Sequence, residues 1–182
     1  MNEENVILIL DASAIINYLA KFGNINKEAY ITTSAINEIR SETSSLRIDQ
    51  LVLTGKLHIA HPDEVYIKEV IRTARRIGNI HDLSNADIET LALALKFVKE
   101  GKKAILITDD YSMMNVAYAL NIRFKSLLVK PIREYREYIY ICQACRFSTR
   151  EPSSDLKCPH CGGMLVRRIR RRIRIKASQE GL

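Results

Sequence analysis

No stretch of the 182 residues approaches the roughly 20 consecutive apolar side chains that a membrane-crossing helix requires. The longest near the start, Val6 to Leu10, stops at an aspartate. The opening Met-Asn-Glu-Glu-Asn is acidic where a secretory signal is basic. A cytoplasmic protein without a membrane partner is the expectation. Also missing are an internal repeat, a Gly-Ser tract, a G-x-S-x-G elbow and a P-loop, which argues against repeat arrays, elbow-type hydrolases and P-loop nucleotide enzymes. Cysteine is scarce, and all four copies fall between positions 142 and 161.

Positive charge, by contrast, is plentiful and concentrated. Of 28 basic residues, seven lie in Arg167 to Lys176, a segment with no acid, and the rest of the chain balances at 21 basic against 21 acidic. A neutral body carrying Arg167, Arg168, Arg170, Arg171, Arg172, Arg174 and Lys176 in one run suits a polyanion, because cations bound to phosphate release its condensed counterions. An anionic membrane surface, or solvation alone, would draw on the same charges.

With 47% hydrophobic residues, the chain can fill one sizeable core and a small appendage. Val6 to Leu10 and Ala104 to Ile107 are short unbroken apolar runs of the kind shown by strands buried on both faces. Further strands are expected at Tyr30–Thr32 and Arg123–Leu128. Helical spacing predicts helices over Ser13–Phe22, through Ile36 and Ile39, over Leu46–Leu53, from Pro62 in a first turn to Ile77, from Ser84 to about Glu100, and over Ser112–Leu120. Strands alternating with helices imply an α/β domain whose parallel sheet is flanked by helices on both faces. Lys130-Pro131 marks a linker, after which Tyr, Arg and Cys dominate.

Cys142-x-x-Cys145 and Cys158-x-x-Cys161 are two knuckles separated by twelve residues, a spacing that closes a tetrahedral zinc site. Gly162 and Gly163 permit the tight turn that follows. Disulfides or a redox pair fit less well in a reducing compartment. Four thiolates close the coordination shell, so this Zn²⁺ is structural and any catalysis lies elsewhere. His160 sits between ligands of a complete set, and His58, His61 and His81 lack ligand-like spacing, so all four are expected at the surface.

The carboxylates supply a second constellation. Asp11 and the Asp109-Asp110 pair each follow a buried strand, at the strand ends where open α/β sheets bind ligands. Asp87 stands on the helix that Ser84 opens, on the side of Leu91, Ala94 and Leu95, whereas Glu89 points away toward solvent. Each acid also has a purely structural use: Ser84 and Asp87 form a capping box, Asp11 and Asp110 cap the helices that follow them, and Glu38 pairs with Arg40. Their convergence on one rim favours a divalent cation, because unneutralised carboxylates repel.

Leu10-Asp11-Ala-Ser-Ala14, Glu38, Ser84-Asn-Ala-Asp87 with the following Leu91-Ala-Leu-Ala94, and Ile107-Thr-Asp-Asp110 together resemble the PIN-domain nucleases over about residues 5–128. The resemblance implies an acidic, Mg²⁺- or Mn²⁺-dependent site that cuts single-stranded RNA, with Asp11, Glu38, Asp87 and Asp110 as its acids, the divalent metal on Asp11, Asp87 and Asp110, Thr108 in support, and Asp109 as an extra acid. With the ribbon behind it and Thr-Asp-Asp-Tyr-Ser-Met-Met-Asn-Val116, nearly the whole chain is similar to the endonucleases that mature the 3′ end of small-subunit ribosomal RNA. That likeness implies a ribosomal RNA precursor within a pre-small-subunit particle as partner. The expected organisation is a PIN-like domain over 1–128, a linker over 129–138, a zinc ribbon with its basic extension over 139–176 and a tail over 177–182. Within the extension, Arg172, Arg174 and Lys176 fall on one strand face, and Tyr135, Tyr138 and Tyr140 either stack bases or pack internally. A toxin-type PIN ribonuclease and a non-catalytic RNA-binding scaffold are the competing readings.

Overall fold

The computed structural model describes residues 6–22, 27–39 and 42–175. Arg40, Lys176 and the expected tail over 177–182 lie outside the described residues. The elements run β1 (Val6–Leu10), α1 (Ala12–Phe22), β2 (Ala29–Ile31), α2 (Thr33–Asn37), α3 (Glu42–Leu53), β3 (Leu57–Ile59) and α4 (Glu64–Ile77). A 3-10 turn at Ile80–Asp82 leads to α5 (Asn85–Lys99), β4 (Lys103–Ile107), α6 (Tyr111–Ala119) and β5 (Arg123–Lys125), and then to β6 (Glu134–Cys142), β7 (Ser148–Thr149) and β8 (Leu165–Arg174).

The unbroken apolar runs of β1 and β4 are buried on both faces because each is central in a five-stranded sheet of order β3-β2-β1-β4-β5, parallel throughout. Successive side chains alternate: Ile7, Ile9, Ala104 and Leu106 enter a core shared with α4, α5 and α6, while Leu8, Leu10, Ile105 and Ile107 enter a second core shared with α1 and α3. Helix α5 is buried nearly all round and starts at a capping box in which Ser84 and Asp87 exchange side-chain-to-backbone bonds. The strand order reverses between β1 and β4, so the carboxyl ends of these two strands open a crevice.

Three local expectations need correction. Pro62 precedes the N-cap residue Asp63 and so stands outside α4 rather than in its first turn. The last strand of the parallel sheet ends at Lys125, before the expected Leu128. Glu89, expected in solvent, is half-buried and accepts a 2.5 Å hydrogen bond from the Ser34 hydroxyl, and with the Thr32–Thr90 hydroxyl pair at 3.4 Å it ties α2 to α5. The edge strand β3 was not anticipated at all. Three residues are too few to display a period.

Beyond the parallel sheet, β6 pairs antiparallel with β7 and β8. Its register with β8 shifts between Glu137 and Tyr138, whose partners are Arg171 and Ile169, so Arg170 is an extra residue in a bulge. The hairpin also packs against the parallel-sheet domain. Strand β6 begins at Glu134, and Tyr135, Ile173 and Ile175 join the core of the parallel-sheet domain, with Tyr135 stacked on Tyr118 at 5.1 Å between ring centres.

Two polar devices hold this junction. The buried Asn115 amide on α6 donates to the Arg136 carbonyl at 2.7 Å and to Asn79 Oδ1 at 2.8 Å, and its own oxygen accepts from the Arg136 N–H at 2.8 Å. One side chain thus completes the hydrogen bonding of a β6 residue that the short β7 does not reach, as a neighbouring strand would. Gly78 closes α4 in the left-handed region at φ 74°, and a β-carbon there would lie 2.8 Å from the Tyr138 carbonyl oxygen, so both the turn and the approach of β6 exclude other residues.

The Asn115 bonds carry a quantitative expectation. Asn115→Leu leaves a half-buried N–H and a half-buried carbonyl of Arg136 without partners, against a full-burial cost of about 1–3 kcal/mol each. Urea unfolding is expected to report a loss of about 2–4 kcal/mol relative to the parent. A midpoint unchanged within error would show that the amide does not hold the hairpin.

Candidate active site and metal centre

The crevice at the strand-order reversal contains the acids. Register pairs Leu10 with Ile107, so Asp11 and Thr108, the next residues along, emerge side by side. Asp110 follows two residues later at the start of α6, Asp87 arrives on the first turn of α5, and Glu38 closes the short helix α2. Asp11, Glu38, Asp87 and Asp110, with Ser13, Ala12, Ile16 and Ile39, line one cleft of about 480 Å³, to which no basic side chain contributes among the described residues.

Three of these carboxylates also start helices. Asp11 Oδ1 accepts from the Ala14 N–H and from the Ser13 hydroxyl at 2.9 Å. Asp87 Oδ2 accepts from the Ser84 N–H at 2.8 Å. Asp110 Oδ1 accepts from the N–H groups of Ser112 and Met113 at 2.6 and 2.8 Å. In each case the described bonds to backbone N–H fall on a single oxygen, and a carboxylate has about four acceptor sites, so coordination capacity remains. Capping fixes the orientation and leaves the chemistry available.

Burial pushes the Asp11 carboxyl above its ordinary pKa, against hydrogen bonds from Thr108, Ala14 and Ser13, and the Asp109 charge adds to the rise. Asp87 is raised for the same leading reason, against bonds from Ser84, with the charges of Asp110 and Glu38 adding. Thr108 Oγ1 lies 3.4 Å from Met113 Sδ and accepts from the Asp110 N–H at 3.1 Å. Thr108 thus meets the Asp110 backbone and stands beside Asp11 at the paired strand ends.

Asp109 is not part of this cleft. Its Oδ1 accepts from the N–H groups of Leu127, Leu128 and Val129 at 2.8, 3.0 and 3.4 Å, and its Oδ2 from the Asn17 amide at 3.3 Å. Burial alone would raise its pKa, but the backbone N–H bonds outweigh it and hold the carboxyl below the ordinary range. It anchors the loop after β5, a role that adjacency to Asp110 concealed.

A donor set of carboxylates, with no counter-cation among the described residues, fits a hard divalent ion. Among the described residues, the group of three or more ligand atoms drawn within 4.8 Å of one another is the cysteine set. The wider spacing of the carboxylates suits an ion that keeps part of its water shell.

Cys142, Cys145, Cys158 and Cys161 form that set and can hold a metal ion. Sγ–Sγ distances of 3.5 Å join Cys142 to Cys161 and Cys145 to Cys158. The Cys145 N–H leads in lowering the Cys142 thiol to about 6, so a thiolate is already favoured there. Gly162 adopts φ 72°, and a β-carbon on Gly163 would come within 3.3 Å of Cys142 Sγ. His160 stacks on Phe147, while His81 is at the module junction: its Nε2 lies 3.2 Å from the Pro152 carbonyl and its ring meets Tyr140 edge-on.

The basic run does not act as one surface. Arg167 Nη1 pairs with Asp82 at 2.7 Å, and its guanidinium lies 3.5 Å over the Tyr138 ring, while Nε and Nη2 are buried without partners. It latches the hairpin to the 3-10 turn and is withdrawn from any phosphate. Arg171 stands 3.7 Å from Glu137. Arg168, Arg170, Arg172 and Arg174 are exposed. Tyr135 and Tyr140 are 6% and 3% exposed, which makes them packing residues.

A five-stranded parallel sheet with an acidic cleft at its reversal point, followed by a four-cysteine hairpin module, is the architecture of a PIN-domain ribonuclease. The family model described as "PIN domain of ribonuclease" matches residues 8–97. The Endoribonuclease Nob1 of Archaeoglobus fulgidus is 34% identical over 89% of this chain and 91% of its own length. That of Methanothermobacter thermautotrophicus is 33% identical over 94% and 99%. The Ribonuclease VapC1 of Thermoplasma acidophilum is 33% identical over 92% and 80%. The chain belongs to the Nob1 endoribonuclease family.

The raised carboxyl pKa values generate a stability prediction. An acid with a raised folded-state pKa costs stability once it ionises, so the cost is absent below the ordinary aspartate value of 3.8 and grows as pH rises through the raised one. Asn caps a helix as well as Asp does. Without added Mg²⁺ or Mn²⁺, Asp11→Asn is expected to melt above the parent at pH 7, with the gap closing at the acid end of a pH series followed by calorimetry. A lower melting temperature for the variant at pH 7 contradicts this.

Proposed function

We propose that the protein is a metal-dependent endoribonuclease that cleaves precursor ribosomal RNA at the 3′ end of the small-subunit rRNA within a pre-small-subunit particle, in the cytoplasm. The observation that carries the reading is the sharing of one cleft by Asp11, Glu38, Asp87 and Asp110. The names of the archaeal relatives support it. No helix among the described residues is long and apolar enough to cross a membrane.

Asp11, Asp87 and Asp110 would hold Mn²⁺ or Mg²⁺, with Glu38 at the mouth of the cleft. Such an ion supplies an acidified water and offsets charge on the attacked phosphate and the leaving oxygen. The chain's own contribution is orientation. Backbone caps lock the three aspartates to rigid helix starts, and Thr108 couples Asp11 to Asp110. Hydrolysis forms the bond from water oxygen to phosphorus and breaks the bond from phosphorus to the 3′-oxygen. The products are a 5′-phosphate and a 3′-hydroxyl; a cleft carboxylate takes the water proton, and the leaving 3′-oxygen is protonated in turn.

The four cysteines would bind Zn²⁺ with a closed shell, giving it a structural role. In this reading residues 1–128 are the nuclease domain, 139–176 the ribbon with its basic extension, and 129–138 the connection between them. The expected outcome is a single cut in a precursor RNA spanning the end of small-subunit rRNA, dependent on added Mn²⁺ and lost by at least 100-fold in Asp11→Asn and Asp87→Asn while RNA binding persists. Omitting the divalent ion, rather than adding chelator, leaves the ribbon zinc in place. Undiminished cutting by a purified double variant would overturn the assignment of the acids, and selective cutting of transfer or messenger RNA would favour a toxin-type activity.

A further inference from the structure

A second, larger concavity of about 690 Å³ lies between the nuclease domain and the hairpin, lined by Tyr111 and Ser112 of α6, Lys130 and Arg133 of the connection, Arg136 of β6 and Arg172 of β8 among others. It differs from the acidic cleft in every chemical respect. Four cations face one carboxylate, Glu134, which is engaged with Arg136 at 3.2 Å. Lys130, Arg133 and Arg172 have no acidic partner among the described residues. Tyr111 is 54% exposed.

The two concavities have rims that adjoin along the chain. Tyr111 and Ser112 line the basic one, and the preceding residue, Asp110, lines the acidic one, so consecutive α-carbons about 3.8 Å apart lead from one to the other. The arrangement is also held rigid. Asp109 clamps the loop at 127–129 that delivers Lys130 and Arg133, and Asn115, which lines the cavity, fixes the Arg136 backbone.

We infer that this basic cavity is the docking site for the unpaired RNA strand on one side of the scissile phosphate, with Arg133 and Arg172 on backbone phosphates and a base stacked on the Tyr111 ring. The inference rests on the nuclease reading for its position beside the cut. Cations of fixed geometry take phosphates, and an exposed aromatic ring takes the face of any unpaired base. A duplex is ill suited, because helical RNA is recognised across a wide shallow groove over many base pairs, not within a concavity of this size. It also reassigns the work of the basic run: Arg172 joins cations outside that run, while Arg167 is occupied in the fold.

The test uses the full chain carrying Asp11→Asn, without added Mn²⁺ or Mg²⁺ so that the probe survives, and a labelled single-stranded oligoribonucleotide without self-complementarity. Arg133→Ala with Arg172→Ala is expected to weaken binding at least tenfold and to lower the slope of log affinity against log salt by about 1.4, since each phosphate contact on a single strand contributes about 0.7. Tyr111→Ala is expected to weaken binding by about tenfold with the salt slope unchanged. Removing two charges elsewhere, Lys68→Ala with Arg72→Ala on α4, should change neither. A hairpin RNA of equal length should bind the parent more weakly and be indifferent to Tyr111→Ala. Parent-like binding by both cavity variants, or a loss no larger than that of the α4 control, overturns the inference. If the protein with native Asp11 cuts the precursor RNA and the cavity variants bind normally, the docking site alone fails. If the cavity variants lose binding as expected and the native chain cuts no RNA with Mn²⁺, the nuclease reading fails and the docking site stands.

Discussion

Like charges crowded at the carboxyl ends of two adjacent parallel strands are the constraint around which this molecule is built. Burial raises the pKa of Asp11 and Asp87, and neighbouring acids raise them further. A cluster of this kind persists in a folded protein only if the acids contribute elsewhere in the structure. Here one oxygen of each of three aspartates accepts the N–H groups that begin α1, α5 and α6. The capping role and the proposed metal-binding role, alternatives when each acid is taken alone, would be two uses of one side chain. Rigid helix starts give the second use its geometry.

Helix α6 transmits that geometry to the rest of the chain. Its first turn is capped by Asp110 in the acidic cleft, and one turn further on Asn115 engages the backbone of β6. Gly78 lets the same strand approach α4, and Arg167 closes the junction against Asp82 and Tyr138. The cysteine module is consequently a docked wall of the nuclease domain.

The parts of this architecture visible in the sequence are those whose signals are local. Buried runs such as Val6–Leu10, the Ser84 capping box and the two cysteine knuckles each announce themselves within a few residues. Asp11, Asp87 and Asp110 were placed on one rim because each follows a strand or opens a helix. What escaped depends on long-range pairing. Arg167 looks like any member of a cationic run until Asp82, distant in sequence, comes beside it. Asp109 and Asp110 are indistinguishable as neighbours, and the backbone turn between them sends one to the loop at 127–129 and the other to the cleft. Strand β3 is too short for a period, and Tyr135 joins a core whose other members precede it.

Central to the proposed function is the sharing of one divalent ion by the helix-starting aspartates. Crystals soaked in Mn²⁺, with anomalous scattering recorded at its absorption edge, address this without reference to activity. One manganese peak is expected among Asp11, Asp87 and Asp110, absent in Asp87→Asn, with the cysteine site unaffected. A saturating soak that leaves this cleft empty, or that places manganese only elsewhere, would contradict it.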